Sequence, residues 1–151
     1  MTHFSRKVVL YVEDDSAYVL LFRRALQQSR LENIPEVHVV NTAETAIDYL
    51  SGNSPYDDRQ QHPLPVLIIT DLRMPGKGGM ALLRWLKQQP DFQSIPTVML
   101  TGSAEEGDIE QAYELGINFC LVKPTEAADL VNIVQALSIY WIPPPTPPER
   151  R

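Results

Sequence analysis

Along this chain, short β-branched or aliphatic runs alternate with segments of helical periodicity, and the alternation repeats five times. The runs are Lys7–Val12, Val37–Val40, Val66–Thr70, Thr97–Leu100 and Asn118–Val122. The helical segments are Ser16–Ser29, Thr42–Leu50, Gly79–Gln89, Ala104–Leu115 and Glu126–Tyr140, with Tyr18, Leu21, Phe22, Ala25 and Leu26 on one face of the first. Strict β/α alternation implies a parallel sheet covered by helices on both faces, and right-handed crossovers leave few topologies open. The central runs VLIIT and TVML are apolar nearly throughout, as strands buried on both faces should be.

Local punctuation supports these boundaries. Ser16 and Thr42 are placed to cap their helices, Gly116 closes the fourth, and Pro90 and Pro96 bracket the approach to the fourth strand. Ser51–Pro65 is long for a connection and carries Pro55, Pro63 and Pro65 among polar residues, so it is expected to be a surface loop. Residues 143–151 hold five prolines and cannot continue a helix, giving a division into one domain over 1–142 and an extended proline-rich tail. The beginning, MTHFSRK, runs straight into a strand without an apolar signal core, so the expected location is cytoplasmic, with no membrane span.

An open parallel sheet binds its ligands beyond the carboxyl ends of its strands. Here the first strand delivers Glu13-Asp14-Asp15, the third Asp71, the fourth Thr101-Gly102 and the fifth Lys123-Pro124. Carboxylates converging on one crevice repel one another unless a cation lies among them. All-oxygen ligands favour Mg²⁺ or Mn²⁺. Thr101 and Lys123 add a hydroxyl and a positive charge on the opposite side, which completes the set of groups that handle a phosphoryl group. Taken singly, each feature has an ordinary explanation as a helix-start acid, a turn residue or a strand exit. Their coincidence at one sheet edge is what points to chemistry.

Composition removes other classes. With 13 basic and 19 acidic side chains the net charge is −6, without a basic block, which argues against nucleic-acid binding. The single cysteine, Cys120, excludes an internal disulfide and a cysteine-rich zinc site. His3, His38 and His62 have no metal-ligand spacing to one another and are read as structural or exposed, and Trp85 as a core residue.

The segments VVLYVEDDS, LIITDLRMPGKGG, TVMLTGSA and CLVKP together resemble the receiver domain of two-component response regulators, over nearly the whole chain. The resemblance implies a flavodoxin-like, doubly wound five-stranded parallel sheet in the order 2-1-3-4-5. It implies Asp71 as phosphoryl acceptor, and Glu13, Asp14, Asp71 and the backbone carbonyl of Arg73 as ligands of Mg²⁺ or Mn²⁺. Thr101 would be the switch hydroxyl and Lys123 the phosphoryl-binding cation. Asp15 is one position too late for the acid pair and is assigned to solvent or the helix start. A nucleophilic Asp on a parallel sheet also occurs in haloacid-dehalogenase-type phosphatases, but those want a second Asp two positions on, where this chain has Arg73.

One position departs from the receiver pattern. The family places an aromatic residue three positions before the lysine, and Cys120 stands there. Phe119 is adjacent, but a one-residue offset on a strand faces the other way. Cys120 is read as a small packing residue.

No length remains for an effector domain, so output is expected through binding, with a sensor histidine kinase or phosphotransfer protein upstream. The long loop before the third strand and the ending VNIVQALSIYWIPPPTPP resemble the single-domain regulators paired with bacterial and cyanobacterial phytochrome kinases. In the last helix Leu130, Val134, Leu137 and Trp141 form one stripe, while Val131, Ile133, Ile139 and Tyr140 widen the apolar surface. That excess suggests a homodimer through the last helix and tail. The competing reading is a phosphorylation-independent adaptor built on the same fold.

Overall fold

The computed structural model describes residues 6–103 and 105–142. His3, Ala104 and the expected tail at 143–151 lie outside them. Strands β1 (Val8–Val12), β2 (Glu36–Val40), β3 (Leu67–Thr70), β4 (Thr97–Thr101) and β5 (Phe119–Val122) alternate with helices α1 (Ser16–Gln28), α2 (Ala43–Ser51), α3 (Gly78–Lys87), α4 (Glu106–Glu114) and α5 (Ala127–Leu137). A 3₁₀ turn over Ser138–Tyr140 ends α5 earlier than helical periodicity alone suggests. All four strand pairings are parallel, in the order β2-β1-β3-β4-β5.

The period-2 alternation of β1 divides the core. Val9 and Tyr11 face α1 and α5, joining Phe22, Leu26, Ile69, Leu100, Leu130, Val134, Leu137 and Trp141. Leu10 and Val12 face the other way, into a layer with Ala46, Leu50, Ile68, Leu82 and Leu86. Both faces of β1, β3 and β4 are buried, which is why those runs carry no polar alternation. The edge strand β5 is different: Phe119 and Val122 are exposed, while Cys120 joins Leu72, Leu83, Met99 and Ala112 in a third cluster.

The expected cap at Ser16 is corrected by one residue. Asp15 has extended backbone and its carboxylate accepts from the Ala17 and Tyr18 amides at 3.0 and 3.3 Å, so the acid caps α1 and Ser16 begins it. Thr42 caps α2 through the Thr45 amide, as expected. Ser51 belongs to α2, not to the loop after it. That loop has no regular element, yet it is anchored: the Arg59 guanidinium donates to the Tyr49 and Leu50 carbonyls at 2.8 and 2.5 Å, in the last turn of α2, where few carbonyls have an intrahelical partner. Trp85 is half-buried in the second layer, stacked on Phe92 with ring centroids 5.8 Å apart.

Candidate functional site

Each candidate residue is carried past its strand by a continuation of the parallel ladder. Glu13 N donates to Val40 O at 2.9 Å, Asp71 N to Val12 O at 3.1 Å and Lys123 N to Thr101 O at 2.7 Å. Residues from β1, β3 and β5 are thereby delivered to one edge in fixed register. The entry to α3 closes in from the side. A Cβ at Gly79 would overlap the Asp71 carbonyl, so only glycine lets that helix approach the end of β3.

Glu13, Asp14 and Asp71 each place a carboxylate oxygen within 4.8 Å of the others. Glu13 and Asp71 are buried, and Asp14 is exposed at the rim. Three converging oxygen donors with one open side fit a hard divalent ion, which takes carboxylates and keeps part of its water shell. Opposite them, Lys123 Nζ lies 2.5 Å from Glu13 Oε1 and 2.7 Å from Asp71 Oδ2. The second Glu13 oxygen accepts from the Asp15 amide at 3.2 Å. Asp71 Oδ1 accepts from the Arg73 amide at 3.3 Å.

The electrostatics follow from burial and pairing. Desolvation pushes Glu13 above the usual carboxylate range, although Lys123 pulls in the opposite direction. Desolvation works against the Lys123 ammonium, but hydrogen bonds to Asp71 and Glu13 outweigh it and hold that group above its ordinary value. One ammonium thus balances two buried acids, and a charge excess of one carboxylate remains beside the exposed Asp14.

The remaining expected residues sit at the same edge with different contacts. Thr101 is buried and its hydroxyl donates to Ser103 O at 3.2 Å, so in this state it is not bonded to Asp71. The Arg73 side chain turns outward to Asp108 on α4, at 3.3 Å. Cys120 packs among apolar neighbours, and burial pushes its thiol up, away from the reactive range. His38 and His62 stand apart from the site, in a cluster with Tyr49 and Tyr56.

One participant escapes sequence reasoning. Tyr18, read there as one more apolar position of α1, puts its ring under Lys123, with Nζ 4.7 Å from the centroid. Its hydroxyl donates to Pro124 O at 3.3 Å. Helical periodicity assigns Tyr18 to a face but does not reveal that the face ends beneath a charge.

A 2-1-3-4-5 parallel sheet whose first, third and fifth strands converge on an acid pair, a buried aspartate and a lysine defines a receiver domain. The family model of the response regulator receiver domain matches residues 9–135, and the chain belongs to that family. Response regulator Rcp1 of Synechocystis sp. is 35% identical over 136 residues, covering 90% of this chain and 89% of that protein. The crystal structure of the phosphorylated cyanobacterial phytochrome response regulator RcpA superposes with a TM-score of 0.80 at 31% identity, over 91% of this chain and 94% of that one. The Mn²⁺-bound form of Rcp1 gives a TM-score of 0.77 at 34% identity, over 95% of this chain and 99% of that one.

Proposed function

We propose that this protein is a response regulator that accepts a phosphoryl group on Asp71 from the phosphohistidine of a sensor histidine kinase or phosphotransfer protein, and signals through phosphorylation-dependent protein binding. The observation that carries this reading is the setting of Asp71: a buried carboxylate bonded by Lys123 Nζ at 2.7 Å, with oxygens of Glu13 and Asp14 within 4.8 Å. An Asp71 oxygen forms the new P–O bond as the P–N bond of the phosphohistidine breaks and its electron pair returns to the imidazole. The nucleophile is already an anion, so no general base is needed. Lys123, freed from one acid, pairs with a phosphoryl oxygen as charge spreads over the group in flight. Glu13, Asp14, Asp71 and the Arg73 carbonyl would hold Mg²⁺ or Mn²⁺, which when bound neutralises charge on the transferring group.

Readout follows from two contacts. Thr101 Oγ1 can exchange Ser103 O for a phosphoryl oxygen, which draws the β4–α4 connection inward. The Arg73–Asp108 pair ties the segment after Asp71 to α4. Phytochrome-type kinases are the upstream class supported by the likeness to the phytochrome response regulator RcpA. A cytoplasmic site of action and absence of nucleic-acid binding accord with the net charge of −6 and with the lack, among the described residues, of a helix able to cross a membrane. For a homodimer through the last helix and tail, Ile139 in the 3₁₀ turn after α5, 69% exposed, is the point of support, since Val131, Ile133 and Tyr140 are packed largely against their own core.

Incubation with Mg²⁺ and acetyl phosphate followed by intact-mass measurement tests the reading. Wild type gains one phosphoryl group and Asp71→Asn gains none, and size exclusion of the two shows whether phosphorylation changes assembly. The adaptor reading draws on Cys120, which fills the usual aromatic position with a packed side chain. Partner binding that is indifferent to phosphorylation is its mark.

A further inference from the structure

We propose that Tyr18 is a positioning residue for Lys123, holding the ammonium and its loop in place while its anionic partners change. The inference rests on the reading of Asp71 as phosphoacceptor. Lys123 follows β5, an edge strand of four residues with two of them exposed, so the strand itself gives its loop little cover. Two contacts compensate. The Lys123 amide is bonded to Thr101 O, and the next carbonyl, that of Pro124, accepts the Tyr18 hydroxyl. The Tyr18 ring then lies against the ammonium as a third neighbour beside the two carboxylates.

The first turn of α1 fixes this ring. Asp15, directly after the acid pair, accepts the Tyr18 amide, so the backbone that carries Asp14 to the rim also sets Tyr18 beneath Lys123. Core packing alone does not account for the residue. Phe22, Ala25 and Leu26 on the same helix face are buried, whereas Tyr18 is only partly covered, at the margin of that cluster. A leucine would fill such a margin without a hydroxyl or a quadrupole.

The chemistry gives the ring a specific use. When Asp71 Oδ2 or its neighbour becomes esterified, Lys123 must leave a carboxylate and reach a phosphoryl oxygen. A hydrogen bond would resist that movement, while the attraction of an aromatic face for a cation is broad and persists over a displacement of an ångström or so. Tyr18 therefore keeps the charge localised without tying it to one oxygen.

Wild type, Tyr18→Phe and Tyr18→Leu separate positioning from packing. Without any phosphoryl donor, the Lys123 Hε and Cε resonances are expected to show an upfield ring-current shift in wild type and Tyr18→Phe, and to lose it in Tyr18→Leu. With Mg²⁺ and acetyl phosphate, the phosphorylation rate constant is expected to fall about two- to threefold in Tyr18→Phe, from loss of the Pro124 bond, and about tenfold in Tyr18→Leu. Tyr18→Met serves as the ringless variant should Tyr18→Leu fail to fold. A folded ringless variant with the wild-type Lys123 resonances, or with the wild-type rate, overturns the proposal. If wild type takes no phosphoryl group either from acetyl phosphate or from a cognate kinase, the reading of Asp71 falls and the resonances alone decide whether Tyr18 positions Lys123.

Discussion

At the scale of single residues, the site is a balance of three buried or half-buried charges. Lys123 pairs with Glu13 and Asp71 together, at 2.5 and 2.7 Å, in a setting where an unpaired acid is costly. Lys123→Met leaves those acids facing each other and is expected to lower unfolding free energy by about 3 kcal/mol in chelator, with part of the loss restored by Mg²⁺, as urea titrations would show. Away from the site, desolvation lowers the His38 imidazole below its ordinary 6.5, opposed by Glu36 and assisted by the nearby cations of Arg6 and Arg23. The unfolded chain therefore binds the proton more readily, and stability is retained above about pH 6.5 and lost as pH falls through it. His38→Gln should flatten that slope between pH 7.5 and about pH 5.5 in chemical denaturation, whereas a slope unchanged in the variant would assign it elsewhere. Much of this scale was legible in advance: the placement of Glu13, Asp14, Asp71 and Lys123 at strand ends is a matter of counting along the chain. Tyr18 was not, because its partner is 105 positions away in sequence and periodicity reports only which face a residue occupies. Asp15 was half legible, since acid at a helix start is ordinary but which of two neighbouring residues takes the cap depends on backbone angles.

At the scale of elements, the β/α alternation shows in the sequence because burial on both faces leaves β1, β3 and β4 apolar throughout. The loop from Gly52 to Val66 shows only as a proline-rich gap. What orders it is a tertiary contact, Arg59 on the last carbonyls of α2, reinforced by the Tyr49 hydroxyl donating to Pro63 O at 3.0 Å. Arg59→Ala removes charged donors from carbonyls at a helix end and should cost about 2 kcal/mol, with amide exchange accelerated in the loop and the last turn of α2 and unaltered in β4. Uniform acceleration over the whole sheet would contradict a local anchor. The excess apolar surface of α5 reads from sequence as an interface, yet in the fold Val131, Ile133 and Tyr140 pack against the cluster that α1, α5 and the sheet share. A helix wheel cannot tell a broad intramolecular contact from a second chain.

At the scale of the whole molecule, two strands from separate parts of the chain must pair before the carboxylates meet, and a third brings Lys123 to them, so metal binding and folding are linked. Saturating Mg²⁺ should raise the thermal midpoint of wild type, by the equivalent of about 1.4 kcal/mol at ten times the dissociation constant. Asp14→Asn should abolish the increment while leaving the metal-free midpoint equal or higher, because it removes a repelling charge. An increment that survives Asp14→Asn would place the ion elsewhere. The central claim is that this edge exists to phosphorylate Asp71, and the most direct measurement is to trap the product. After treatment with acetyl phosphate and Mg²⁺, borohydride reduction converts an aspartyl phosphate to homoserine, and peptide sequencing by mass spectrometry locates it. Homoserine at position 71 alone, dependent on Mg²⁺, is the expected result. Homoserine at Asp14 or Asp15, or none at any position with the metal demonstrably bound and the same result with a cognate kinase, would contradict it.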